Sequence, residues 1–223
     1  MLPNKLYIPI GLILIYLQFS SSLSTIPATT IYAQASSAFH DRDSAKSLAL
    51  YDSLPPSPFL WQRGLSAYCA GEYSVAESQF HLDTSVNGDD GEETIWEYLS
   101  SRKAGSERSG DILLRVIDGT GKVNIPDKRE VIRQTLLLFY LYTSSSSSSS
   151  SKTKEAAIKS FVTRFHGSSD RERFYSSMYL ALLYSAEGED SLAKLNFNEA
   201  LRTSYSSTSK DTMVDVVRNL NIT

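Results

Sequence analysis

At 223 residues, with 41% hydrophobic and 21% charged side chains, the chain is long and apolar enough to bury one sizeable core, which excludes a largely disordered protein. Twenty-two Lys and Arg against 25 Asp and Glu leave a formal charge of -3, so there is no basic excess to neutralise a phosphate backbone, and nucleic acid is not an expected partner. Cys69 is the only cysteine, which excludes an intrachain disulfide; between Tyr68 and Ala70 it reads as a small buried hydrophobe.

In chain order the first feature is an address. Lys5 is followed by the uncharged run "LYIPIGLILIYLQF" (Leu6 to Phe19) and then by "SSSLS". Charge, apolar core and small-residue zone in that order predict a secretory signal peptide. Fourteen residues, interrupted only by Gln18, fall short of the roughly 20 that a bilayer span needs. Cleavage is expected after Ser24 or after Ala35, which assigns residues 1–35 to targeting and 36–223 to a folded domain. An uncleaved membrane anchor is the alternative. The stretch "ASSAF" (Ala35 to Phe39) resembles the cleavage junction of plastid-targeted algal proteins, so a plastid reached by a bipartite signal stands beside a secreted or luminal destination.

Helices follow. The spacing of Ala45, Leu48, Tyr51 and Leu54 predicts one over 43–54, ended by "PPSP" because proline lacks an N–H and restricts the residue before it. Further helices are predicted over 59–70 and 73–84 around a Gly71-Glu72 turn. After the polar loop 87–92 comes another over 93–104, stopped by Gly105. Residues 111–127 read as a short helix or extended segment, then a Gly-rich loop. Residues 128–142 are apolar enough for a buried helix. Eight serines (Ser144 to Ser151) cannot bury enough apolar area to offset their ordering entropy, so 143–152 is expected to be a flexible surface loop. Helices over 154–164, 171–186, 191–202 and 210–219 complete the chain, with Ser169 or Asp170 as an N-cap and Gly188 as a turn. The predicted fold class is all-α.

Two stretches share one pattern. Gly64 precedes Ala76 by twelve residues, as Ala181 precedes Ala193; Gly71 and Gly188 each stand five before those alanines, and Phe80 and Phe197 four after them. Small residues where two helix backbones touch, with large ones filling the holes nearby, are the tetratricopeptide pattern and predict a short stack of antiparallel helical hairpins. Ala157 and Phe161 repeat the four-residue step of a third hairpin, with the serine run lengthening its turn. Asp83 occupies the place of Ala200, and Arg63 that of a usual leucine, which marks the first copy as an end or junction.

With "LWQRGLSAYCAGEYSVAESQF", the acidic loop after it and "IWEYL", the chain resembles a group of tetratricopeptide-repeat proteins found in planctomycete-type bacteria and in algae. That group shows a Trp-Gln-Arg-Gly opening, a Gln-Phe in its second helix and a tryptophan in its third. The resemblance runs from Pro58 to Leu220 and implies a secreted or organellar helical-repeat protein of undefined activity.

No stretch carries a catalytic signature. His40, His81 and His166 lie far apart without Cys or His neighbours at ligand spacing, so no metal and no cofactor is expected. "GTGK" (Gly119 to Lys122) lacks full phosphate-loop spacing, and no Gly-x-Ser-x-Gly elbow exists. What remains is surface. The first helix of each hairpin would line a groove, placing Trp61, Leu65 and Tyr68, and later Tyr175, Met178 and Leu182, as candidate partner-binding residues; packing inside a short stack is the competing role for each. The expected function is a non-enzymatic adaptor that holds a protein or peptide segment. A membrane-anchored scaffold, with Leu6 to Phe19 uncleaved, is one alternative. An enzyme using acidic residues around Asp89, Asp90 and Glu92 is the other.

Overall fold

A computed structural model describes residues 26–118, 120–144, 150–165 and 167–221, and every regular element among them is a helix. Helix α1 (Ala28–His40) packs on α2 (Ser44–Asp52), whose first turn is capped by the Asp43 carboxylate accepting from the Lys46 N–H at 3.1 Å. Beyond the proline break come α3 (Trp61–Cys69), α4 (Tyr73–Thr84) and α5 (Gly91–Ala104); the last is capped by Asp90 and closed by Gly105 in the left-handed region at φ 68°. A short α6 (Ser109–Leu114) leads through an irregular stretch, with a single antiparallel bridge between Ile117 and Val123, to α7 (Glu130–Ser144). Then follow α8 (Ser150–Phe165), α9 (Asp170–Ala186), α10 (Asp190–Leu201), α11 (Ser204–Thr208) and α12 (Thr212–Leu220). Most helices pack on their neighbours in sequence, α9 with α10 and α4 with α5 most extensively.

Several boundaries differ from the sequence expectation for identifiable reasons. Residues 28–35, read as the end of a leader, form most of α1, and Ala35 is fully buried against Tyr51, Leu54 and Leu60. Cleavage after Ala35 would cut α1 and remove a core residue, whereas cleavage after Ser24 leaves it whole. The apolar run Leu6 to Phe19 lies outside the described residues. Within the stretch expected as a serine loop, 143–152, Thr143 and Ser144 end α7 and Ser150 to Lys152 begin α8; Ser145 to Ser149 lie outside the described residues. Ser169 rather than Asp170 caps α9, in a reciprocal box with Glu172 in which each backbone N–H donates to the other side chain at 3.3 Å.

The two segments with shared spacing are also built alike. Gly71 at φ 83° and Gly188 at φ 78° end their helices in the left-handed conformation, which costs glycine nothing. In the first, the Glu72 N–H donates to the Ala67 carbonyl at 2.9 Å; in the second, the Glu189 N–H donates to the Tyr184 carbonyl at 2.8 Å, five residues back each time. Ala76, Phe80, Ala193 and Phe197 are all buried. Gly64 lies directly under the Phe80 ring: a Cβ there would stand 2.7 Å from two ring carbons. The ring in turn stacks on Trp96 with centroids 6.0 Å apart and has no room to retreat. Gly64→Ala is therefore expected to destabilise by about 1–2 kcal/mol despite the roughly 1 kcal/mol that alanine gains in helix propensity. Urea unfolding checks this, and in a Phe80→Leu background the same substitution should become nearly neutral.

Two helices form the centre. From Thr94 to Ser101 every residue of α5 is buried, and in α9 the run from Phe174 to Tyr184 is buried apart from Ser177. A helix covered on all sides is a core helix, so α5 and α9 are enclosed by the others and touch each other. The chain also closes on itself: α12 packs against α1, α3 and α10. Asn219 sits at that junction, buried, accepting from the Ser44 hydroxyl at 2.6 Å and donating to the Phe39 carbonyl at 3.0 Å.

Candidate functional site

The six residues expected to line a groove are not brought together. Leu65 and Tyr68 are 1% and 2% exposed, and Met178 and Leu182 are fully enclosed in α9. Tyr68 meets the rings of Tyr73 and Trp96 edge-on, each at 5.3 Å. Tyr175 is buried among Phe174, Tyr179 and Tyr205, with its hydroxyl donating to Asp211 at 2.7 Å. Helical spacing shows that these positions share a face; it does not show that another helix covers that face.

Trp61 differs. It is half-buried and, with Leu65, lines an open cleft of about 370 Å³ whose walls include Tyr32, Phe39 and Tyr51. The rings of Tyr32 and Tyr51 meet edge-on at 5.9 Å. Burial first, and the neighbouring Tyr32 second, push the Tyr51 hydroxyl up to about 12. No residue of the cleft wall carries a formal charge, and Gln62 turns its Oε1 into buried surroundings without a hydrogen-bond partner. Uncharged aromatic walls suit an apolar side chain. Tyr32 and Phe39 escape the sequence reading because the targeting segment absorbs or abuts them; the helical spacing of Tyr32, Ala35 and Phe39 is the signal that could have found them.

The acidic stretch is organised around a cation. Asp90 pairs with Arg129, Glu92 meets it at 2.6 Å and Asp127 at 2.8 Å, while the Tyr179 hydroxyl donates to Glu92 at 2.6 Å. Asp90 also caps α5 by accepting from the Glu92 N–H at 2.9 Å. Burial opposes ionisation of Asp127, but the hydrogen bonds from Arg129 outweigh it and hold its carboxyl below the usual range. These contacts tie α5, the 126–129 segment and α9 together, a structural use for the residues considered as an acidic catalytic site. Asp89 takes no part in them.

A second buried charge lies between α4, α5 and α6. Glu97 has no exposed surface; Arg115 pairs with its Oε2, and the Thr84 hydroxyl donates to the same atom at 2.8 Å. The Nδ1 of His81 stands 2.9 Å from Glu97 Oε1 and 3.0 Å from an Arg108 nitrogen. That nitrogen can donate to the carboxylate or accept from the guanidinium, not both, so the ring tautomer sets which partner it keeps. His40 contacts Asp215 at 3.1 Å and lies away from His81; His166 lies outside the described residues. Among the described residues no three His, Cys, Asp or Glu side chains are placed to share a metal ion. In the "GTGK" region Gly119 lies outside the described residues. The Thr120 and Lys122 amides donate inward to the Asp118 carboxylate at 2.9 and 3.0 Å, so a turn occupies the donors a phosphate would need. Burial pushes the Cys69 thiol far up, which fits a packing role.

Comparison with protein-family models, with curated proteins and with solved structures finds no match to this chain.

Proposed function

We propose that this protein is a non-enzymatic helical-repeat adaptor of tetratricopeptide type, delivered through the secretory pathway, that binds a segment of another protein. The observation that carries the reading is the cleft beside Trp61: an uncharged, aromatic-walled opening held on packed helices. A rigid site of this kind binds without first ordering itself. The matched helix ends at Gly71 and Gly188, and the Gly64–Phe80 contact, support antiparallel hairpins repeated along the chain. Cleavage after Ser24 is the leader processing compatible with an intact α1, and mass spectrometry of the mature N-terminus tests it; a mature chain retaining Leu6 to Phe19 would favour the anchored scaffold.

The binding test is capture of a partner from the compartment the protein occupies. Trp61→Ala should weaken capture about 30-fold, the scale of a central aromatic anchor, with the helical circular dichroism unchanged. Undiminished capture by Trp61→Ala would remove the cleft from the reading. Catalytic turnover abolished by Asp90→Ala in a folded protein would replace the adaptor with an enzyme.

A further inference from the structure

Between α4 and α5 the chain turns through Asn87, Gly88, Asp89 and Asp90. This is the only Asn-Gly pair in the sequence; every other asparagine precedes Lys, Ile, Phe, Glu or Leu. The Asn87 N–H donates to the Asp83 carbonyl at 2.9 Å, and the Asn87 carbonyl accepts from the Asp90 N–H at 3.3 Å. The Gly88 N–H donates to no group among the described residues, and Gly88 is exposed. A side-chain amide followed by an unbonded glycine nitrogen is an arrangement in which the chain attacks itself, since glycine has no Cβ to obstruct ring closure.

We propose that Asn87 is a self-modification site: it deamidates through a succinimide formed with Gly88, and the carboxylate so produced loosens the junction of α4 and α5. This chemistry is independent of the adaptor reading. The Gly88 nitrogen attacks the Asn87 Cγ. A Cγ–N bond forms as the Cγ–Nδ2 bond breaks, and the proton lost from Gly88 departs with Nδ2 as ammonia. Water then opens the ring at either carbonyl. One route gives aspartate; the other reroutes the main chain through Cγ as isoaspartate. Nothing is oxidised or reduced, and solvent water is the only co-reactant.

The surroundings make the new charge costly. Asp83 on α4 is 2% exposed with an unpartnered Oδ1, and Glu93 on α5 has a buried, unpartnered Oε2. Burial and then neighbouring carboxyls push Asp83 up to about 6 and Glu93 up to about 9, while a hydrogen bond from the Asn87 side chain favours the ionised form of Asp83. Asp89 is exposed beside them, and the cation that Asp90 pairs with, Arg129, is already shared with Glu92 and Asp127. Deamidation thus exchanges a neutral donor to Asp83 for one more acid in a corner whose cation is engaged. Like charges there disfavour the ionised state of the buried acids, so the modified protein loses stability as pH rises through their raised values.

Peptide mapping by mass spectrometry tests the site on the full-length protein before and after incubation in mildly alkaline buffer, with isoaspartate detected by an isoaspartyl methyltransferase. The peptide holding Asn87 should show the mass change of amide to acid, in aspartyl and isoaspartyl forms, while the other asparagines stay intact. A Cβ on Gly88 would meet only the Thr84 carbonyl oxygen, at 3.5 Å, which is ordinary contact. Gly88→Ala should therefore fold as the wild type does and convert several-fold more slowly. Asn87 left intact by an incubation that fully converts a free peptide of residues 83–92 overturns the site, as does conversion indifferent to Gly88→Ala. For the loosening, Asn87→Asp should have a lower urea midpoint than the wild type, by a margin that widens from about pH 5 to about pH 9. An equal midpoint, or a margin that stays constant across that range, would show that the new carboxylate does not act on the buried acids and would overturn the loosening.

Discussion

Glu97→Ala is expected to lower the unfolding free energy by about 3 kcal/mol, read as a fall in the urea midpoint at unchanged slope. The carboxylate has no exposed surface and is held by Arg115, by the Thr84 hydroxyl at 2.8 Å and by His81 at 2.9 Å. Removing one partner of a buried pair typically costs about 3–5 kcal/mol because the other charge is stranded. Here the lower end applies. The side chains of Arg115 and Arg108 are 42% and 51% exposed and can turn into water once Glu97 is gone. Thr84 keeps a second acceptor, the His81 carbonyl at 3.2 Å. Glu97→Gln retains the volume and an oxygen for Thr84 but not the charge, so its loss should be about half that of alanine. A double-mutant cycle with Arg115→Ala should then give a coupling of about 1–2 kcal/mol. A glutamine variant as stable as the wild type would mean that charge pairing contributes nothing and that the site is held by packing and the Thr84 bond alone.

The helices were legible because their apolar residues recur at helical spacing and their ends carry recognisable stops. The Gly71-Glu72 turn, the proline break and the Gly105 terminator each act through local backbone chemistry that needs no knowledge of the rest of the chain. The contact between Gly64 and Phe80 belongs to the same class, since it falls within one pair of consecutive helices. What was not legible depends on distance along the chain. Residues 28–35 continue the apolar character of the leader, and nothing local shows that Ala35 is needed against Tyr51 and Leu60. Tyr175, Met178 and Leu182 share a helix face whether that face meets a partner or α5 and α7. Their burial follows from those other helices returning to enclose α9. The candidate site shows the same limit. Trp61 stood out as a large residue among small ones, but the cleft it lines needs Tyr32 from α1 and Thr212 from α12, which lie 180 positions apart. Glu97, His81 and Arg115 each look like ordinary surface charges until α4, α5 and α6 converge on them.

Between about pH 5 and pH 9 the wild-type protein should become less stable, and Glu93→Gln should remove most of that decline. Burial pushes the Glu93 carboxyl up to about 9, and a hydrogen bond with Asp90 and the charges of Asp90 and Asp83 add to it. Asp83, 2% exposed and with an unpartnered Oδ1, is pushed up to about 6 by burial and then by Asp90. A carboxyl raised in the folded state holds a proton that the unfolded chain gives up, so folding is favoured at low pH and stability falls as pH climbs from the ordinary carboxyl range toward the raised value. On the acid side the sign reverses. Burial works against ionisation of Asp211 too, but the hydroxyls of Tyr205 and Tyr175 more than offset it, so Asp211 and Asp127 are held low. Their contribution is present above the ordinary aspartate value and is lost as pH drops through their folded values. Stability should accordingly peak in mildly acidic solution. The substituted glutamine cannot ionise and can still donate to Asp90, so the variant should match the wild type near pH 5 and exceed it by about 2 kcal/mol at pH 9, a figure reduced because Glu93 is only partly buried. Urea midpoints across that range decide the matter: a constant offset between the two proteins at every pH would show that Glu93 ionises as freely in the folded protein as in the unfolded chain, and that the acidic corner of α4 and α5 carries no stored proton.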